Sequence, residues 1–204
     1  MRLFVKICGV RRLEDLEACV TLAVDAIGLN LVPSSPRACD EALATALATA
    51  VADRARIVWV VAAAPPAFLA ELIRAFPRSI VQRCDPSWPW PPALGADRRV
   101  EVVRLQAHED VAAAEKVPGT FLLSDAAGAL GGSGRRADWP LTRALAEKRR
   151  VLLAGGLTAD NVAEAVRAVS PFGVDVAGGV EARPGEKDPA KLRAFVAAAR
   201  AAHG

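Results

Sequence analysis

Histidine is almost missing from this 204-residue chain, with only His108 and His203 present. The four cysteines (8, 19, 39 and 84) form no CxxC pair and stand beside no histidine cluster, so no zinc-type metal site is expected. Their spacing is also unlike the disulfide framework of a small secreted domain, and reduced thiols are expected. No uninterrupted apolar stretch approaches the ~18 residues of a membrane span, and no apolar run follows a basic start. The expectation is therefore a soluble, cytoplasmic protein with no membrane partner. Lys and Arg (26) barely exceed Asp and Glu (23), and they are dispersed apart from doublets such as Arg11-Arg12 and Arg135-Arg136. No basic face for nucleic acid is expected. The net charge of +3 still suits a small anionic substrate.

What is present is globular composition, 52% hydrophobic and 24% charged, which excludes disorder and provides for a core. No Pro/Gly/Ser linker divides the chain, so residues 1–204 are expected to form one domain. β-branched runs at 3–8, 25–32, 57–61, 79–82, 100–105, 120–124, 151–154 and 173–176 read as strands. Between them, helical patterns fall at 13–22, 41–51, 66–76, 110–116, 140–147 and 159–169, with a last one at 189–202. Strict alternation implies a parallel sheet, and eight strands imply closure into a small (β/α)₈ TIM barrel of the α/β class. The exception is residues 85–96, where prolines surround Trp88 and Trp90. A stiff, irregular segment is expected there in place of a full helix after strand 4.

Barrel enzymes work at the carboxyl ends of their strands. Strand 1 ends at Cys8, strand 4 near Gln82, and strand 6 at Asp125. Cys8 and Asp125 end strands that are not neighbours, so they can face one another across the mouth as a thiol–carboxyl pair for proton transfer. A free thiol ionises near pH ~8.5 and needs a nearby cation to serve as a base at neutral pH. Lys6, two residues earlier, shares the inner face of the strand with Cys8. The competing possibility for Cys8 is a small buried hydrophobe. Strands 7 and 8 run into Gly155-Gly156 and Gly178-Gly179, ahead of helices; backbone amides there can cradle a phosphate. Tight turns alone would use the same glycines. Arg37, after strand 2, offers a planar fork for a carboxylate or is an ordinary surface arginine.

These strings occur in a fixed order: Lys6-Ile7-Cys8-Gly9-Val10, Ser35-Pro36-Arg37, Gly131-Gly132-Ser133-Gly134 with Asp138-Trp139, Leu153-Ala154-Gly155-Gly156-Leu157 with Asn161-Val162, and Gly179-Val180-Glu181 with Pro184-Gly185-Glu186-Lys187-Asp188. Together, over nearly the whole chain, they closely resemble phosphoribosylanthranilate isomerase of tryptophan biosynthesis. The resemblance implies an Amadori rearrangement of N-(5-phosphoribosyl)anthranilate, with no metal or organic cofactor. It gives the proton donor's role to Asp125 and the base's role to Cys8. It gives Arg37 the substrate carboxylate, places Asp175 and Gln82 beside the substrate, and assigns phosphate to Gly155, Gly156, Gly178 and Gly179. A phosphorylated small molecule is the implied partner, and the chain is expected to act as a monomer or homodimer.

Some positions depart from the family pattern. Where the family has Val-Gln-Leu-His-Gly, this chain reads Val81-Gln82-Arg83-Cys84-Asp85, so the histidine is missing. The Gly-Val-Phe character of strand 3 is lost, and Ala177-Gly178 replaces the usual serine after strand 8. These losses motivate a second reading: a degenerate barrel that binds phosphorylated ligands or a partner protein without turnover. A third, a histidine-pathway sugar isomerase, would need an aspartate where Cys8 stands.

Overall fold

Side chains alternate across a strand, so every second residue of a barrel strand points inward. The computed structural model describes residues 2–62, 64–126 and 136–203 and shows where that alternation leads. Eight parallel strands close in chain order: β1 (Phe4–Cys8), β2 (Ala26–Asn30), β3 (Arg56–Val61), β4 (Ile80–Arg83), β5 (Arg99–Val103), β6 (Phe121–Ser124), β7 (Val151–Leu153) and β8 (Gly173–Val176). Helices α1 (Leu13–Thr21), α2 (Glu41–Val51), α3 (Pro66–Ala75), α4 (His108–Glu115), α5 (Trp139–Ala146), α6 (Val162–Val169) and α7 (Pro189–Ala201) surround them. Among the described residues no helix is long and apolar enough to cross a membrane. The expected (β/α)₈ barrel is therefore present, with its strands nearly where the pattern set them. Asp40, Asp138 and Asp188 each accept a backbone N–H in the first turn of α2, α5 and α7, which fixes those helix starts.

Two apolar layers hold the barrel together. The outer layer packs strand faces against helices, with Ile7, Leu29, Trp59, Leu153 and Phe195 buried in it. The inner layer contains Ala26, Val58, Val60, Ile80, Val100, Leu123 and Leu152. Its amino-terminal end is closed by Phe4, Phe121 and Phe172, whose ring centroids lie 5.1–6.2 Å apart. With the bottom plugged by aromatic rings, only the carboxyl end of the barrel is open to a ligand.

The segment after β4 is irregular, as expected, and ends in a single 3₁₀ turn, Ala96–Arg98. Its physical basis lies in the outer faces of β4 and β5, which are ionic at one position. The register pairs Arg83 with Glu101, and Arg83 Nε donates to Glu101 Oε2 at 3.1 Å. Trp90 covers this pair: its Nε1 donates to Glu101 Oε1 at 2.9 Å, and the Arg83 guanidinium sits 4.7 Å from its ring centroid. Arg83 Nη1 also reaches the Trp88 carbonyl at 2.7 Å. A helix with an apolar stripe would bury this ion pair with its remaining donors and acceptors unmet, whereas the tryptophan segment meets both. Trp90→Ala is expected to lower stability by about 2 kcal/mol, a Tm drop of roughly 4–8 °C in thermal unfolding. An unchanged Tm would show that the segment is mere decoration.

Three of the differences from expectation shape the mouth of the barrel. β2 stops at Asn30, because Asn30 Oδ1 accepts from Val32 N at 2.8 Å and turns the chain. α6 begins only at Val162, after a turn stapled by Asn161. Beyond β8, Gly178–Val180 forms a 3₁₀ turn and then an antiparallel hairpin, β9 (Glu181–Arg183) with β10 (Glu186–Lys187). Contrary to expectation, the glycine loops therefore do not run straight into α-helices: the first reaches α6 through the Asn161 turn and the second enters a 3₁₀ turn. Pro184-Gly185, with Gly185 at φ +82°, was the available signal for the hairpin.

Candidate active site

Followed upward, the inner row of each strand ends at the open mouth. Lys6 and Cys8 (β1), Asn30 (β2), Gln82 (β4) with Cys84 just beyond it, Asp125 (after β6) and Asp175 (β8) occupy these last positions. A cavity of about 620 Å³ opens there. It is lined by Cys8, Arg37, Gln82, Asp125, Asp175, Gly155, Gly156, Gly178 and Gly179, so all nine residues singled out from the sequence converge on it. The Gly131-Gly132-Ser133-Gly134 string lies outside the described residues. His108 and His203 do not line the cavity.

The β1–β8 register sets Lys6 beside Asp175, and Lys6 Nζ donates to Asp175 Oδ1 at 2.7 Å with both groups buried. Burial alone would push the Lys6 ammonium down, but Asp175 and the Cys8 sulfur outweigh it and hold the lysine charged. Burial pushes the Cys8 thiol up, while the charge of Lys6 draws it back down. Gly28 makes this arrangement possible: a Cβ there would lie 3.0 Å from Cys8 Sγ and 3.3 Å from Lys6 Cε. Burial also raises the Asp125 carboxyl above the usual carboxylate range, against one hydrogen bond from Ala126 N at 2.8 Å. A thiol kept near an ammonium and a carboxyl held partly desolvated form a base and an acid of suitable character.

The glycine loops share one wall. Gly155 and Gly156 have φ of +83° and +61°, conformations that side chains resist. Asn161 fixes this loop by donating to Gly156 O and accepting from Thr158 N, both at 2.9 Å. At Gly179 a Cβ would come within 1.8 Å of Leu157 O, so the two loops touch only because that residue is glycine.

Arg37 sits above this wall, with its loop held by Asn30 Nδ2 donating to Ser35 Oγ at 3.1 Å. Its fork is occupied: Nε and Nη2 donate to the two carboxylate oxygens of Glu181 at 2.9 and 2.7 Å. Lys187, fully buried, donates to Glu181 Oε1 at 2.8 Å and to the Cys8 carbonyl at 2.7 Å. The mouth thus rests on a chain of contacts running Arg37–Glu181–Lys187–Cys8.

Sequence reasoning passed over Arg104, which lines the cavity just beyond β5. The signal was there: Val100, Val102 and Arg104 are inward positions at a spacing of two. Cys84 occupies the place of the family histidine. Its thiol is pushed up to about 11 by burial, so it stays neutral and replaces no imidazolium.

Comparison with known proteins fits this geometry. The family model for N-(5'-phosphoribosyl)anthranilate isomerase matches residues 5–198. The Myxococcus xanthus enzyme of that name is 42% identical over 98% of this chain and 97% of its own length. The Thiobacillus denitrificans enzyme is 38% identical over 98% of this chain and 100% of its own. The crystal structure of the Thermotoga maritima enzyme superposes with a TM-score of 0.85, at 28% identity over 98% of this chain and 99% of that one. A phosphoribosyl anthranilate isomerase solved in complex with reduced 1-(o-carboxyphenylamino)-1-deoxyribulose 5-phosphate superposes with a TM-score of 0.83 at 27% identity, over 98% of this chain and 99% of that one.

Proposed function

The chain belongs to the N-(5'-phosphoribosyl)anthranilate isomerase family, and on that footing we propose that Asp125 and Cys8 carry out its Amadori rearrangement. The observation that carries this assignment is the convergence of one buried thiol, one raised carboxyl and four glycines on a single cavity. Asp125 donates its proton to the ribose ring oxygen, the C1′–O bond opens, and the nitrogen's electron pair forms the Schiff base. Cys8, as thiolate beside the Lys6 ammonium, removes the C2′ proton, and the resulting enolamine tautomerises to the ketone. One proton is given and one is taken, so the two side chains balance the isomerisation.

Positioning follows from the walls. The phosphate lies on backbone amides around Gly155, Gly156, Gly178 and Gly179. Asp175, locked by Lys6, and Gln82, whose buried Oε1 has no partner among the described residues, face the sugar. Arg37, braced by Glu181, meets the carboxyphenyl end with its remaining edge.

Incubating the protein with N-(5'-phosphoribosyl)anthranilate in D₂O and following the sugar by NMR tests the proposal. Product should form with exchange at C2′. Absence of product at high enzyme concentration, with binding retained, would favour the ligand-binding barrel instead.

A further inference from the structure

The substrate's two ends differ in what must hold them, and the barrel geometry fixes where each lies. With phosphate on the loops after β7 and β8, the ligand extends across the mouth toward the opposite strands. In a closed ring of eight, those are β3 and β4, flanked by β5. The cavity-lining residues on β3, β4 and β5 and just beyond them are Val60, Ala62, Gln82, Cys84, Val102 and Arg104. Three of them are apolar, as an aromatic ring requires, and only Arg104 carries charge.

Among the described residues Arg104 is also uncommitted. Its Nε is buried without a hydrogen-bond partner, and among the described residues it makes no ion pair. Arg104 as a whole is only partly buried, but a buried N–H without a partner is costly, and it is kept where a ligand completes it. Arg37, by contrast, has two of its nitrogens bound to Glu181. We propose that Arg104 is a specificity-determining residue that joins Arg37 as a second cation for the carboxylate of the substrate's aromatic end. It thereby places positive charge on the side where the family histidine has been replaced by Cys84. Its field reaches both Cys84 and Asp125, drawing each toward its ionised form.

This inference rests on the isomerase assignment, and the two can fail separately. Calorimetry would use reduced 1-(o-carboxyphenylamino)-1-deoxyribulose 5-phosphate and the same compound lacking its carboxyl group. Arg104→Ala should weaken binding of the carboxylated ligand on the order of 10- to 100-fold, the range for a charge-assisted hydrogen bond, and leave the other within about twofold. In turnover, KM should rise by a similar factor with kcat changed far less. Arg104→Lys should recover part of the loss, and it serves as the test variant if Arg104→Ala does not fold. Equal weakening toward both ligands, or a loss confined to kcat, would overturn the inference. Failure of the unsubstituted protein to turn over substrate would instead remove the assignment beneath it.

Discussion

Cys8→Ala and Asp125→Asn are each expected to lower kcat/KM by at least about 100-fold, the usual contribution of a positioned base or acid, with Tm nearly unchanged. The pH profile separates the two roles. The productive form has Asp125 protonated and Cys8 ionised, although burial raises both groups above their ordinary values. An ordinary carboxyl titrates well below an ordinary thiol, and with both groups raised the same order is expected. At pH below the Asp125 value, the acid is already fully protonated and thiolate becomes scarcer as pH falls. Between the two values, gain of thiolate and loss of acid cancel, so the rate is flat. Above the Cys8 value, thiolate is complete and only the acid is lost, so the rate falls. Asp125→Asn should abolish both the flat region and the alkaline fall, leaving residual activity that climbs until Cys8 is ionised. A variant profile that kept the parent's shape would assign the acid to another group.

The second large effect is on stability. Glu181 holds two cations at once, Arg37 through both its oxygens and Lys187 through one, and Gly185 N also donates to it. Glu181→Gln leaves a half-buried arginine and a buried lysine without their counter-charge. That should cost about 3 kcal/mol or more, a Tm fall of roughly 6–12 °C in a chain of this size. Lys187→Met should cost less, since Arg37 still neutralises the carboxylate. Burial alone would raise the Glu181 carboxyl, but hydrogen bonds from Arg37 and Lys187 outweigh it and hold it low. Its contribution is therefore complete above the unfolded value near pH ~4.3 and is lost as pH falls through the lower folded value. Thermal unfolding at pH 7 of the parent and both variants checks the order; equal Tm values would show that the charges are solvated after all.

Much of this molecule could be read from its residues because barrel strands obey a simple parity. Cys8, Gln82 and Asp125 lie at or just beyond the carboxyl ends of their strands, so locating the strands located them. Gly155 and Gly156 were legible for the same reason. Arg104 follows the identical rule from Val100 and Val102, and it was missed because strand 5 ends in no named motif. What strand parity could not supply was pairing across the chain. Glu181 and Arg37 are 144 residues apart, and nothing local states that the arginine's fork is already filled. Nor does local pattern show that Arg83, which replaces an apolar family residue, is matched by Glu101 and roofed by Trp90. Such compensations are three-dimensional by nature, since each partner alone looks like an error.

The bonds that finish the mouth join opposite ends of the chain: Lys6 to Asp175 across 169 residues, and Lys187 to the Cys8 carbonyl across 179. On the ribosome, synthesis at about 5–20 residues per second makes Lys6 wait on the order of ten seconds for its counter-ion. Loops of that length close late, after local βα units have formed. A nascent chain that has reached β8 but not yet Lys187 would have most of a barrel but no Lys187 under Cys8. The thiol would then stand on an unanchored strand end, and proton transfer would begin only once Lys187 has been made and has docked beneath it.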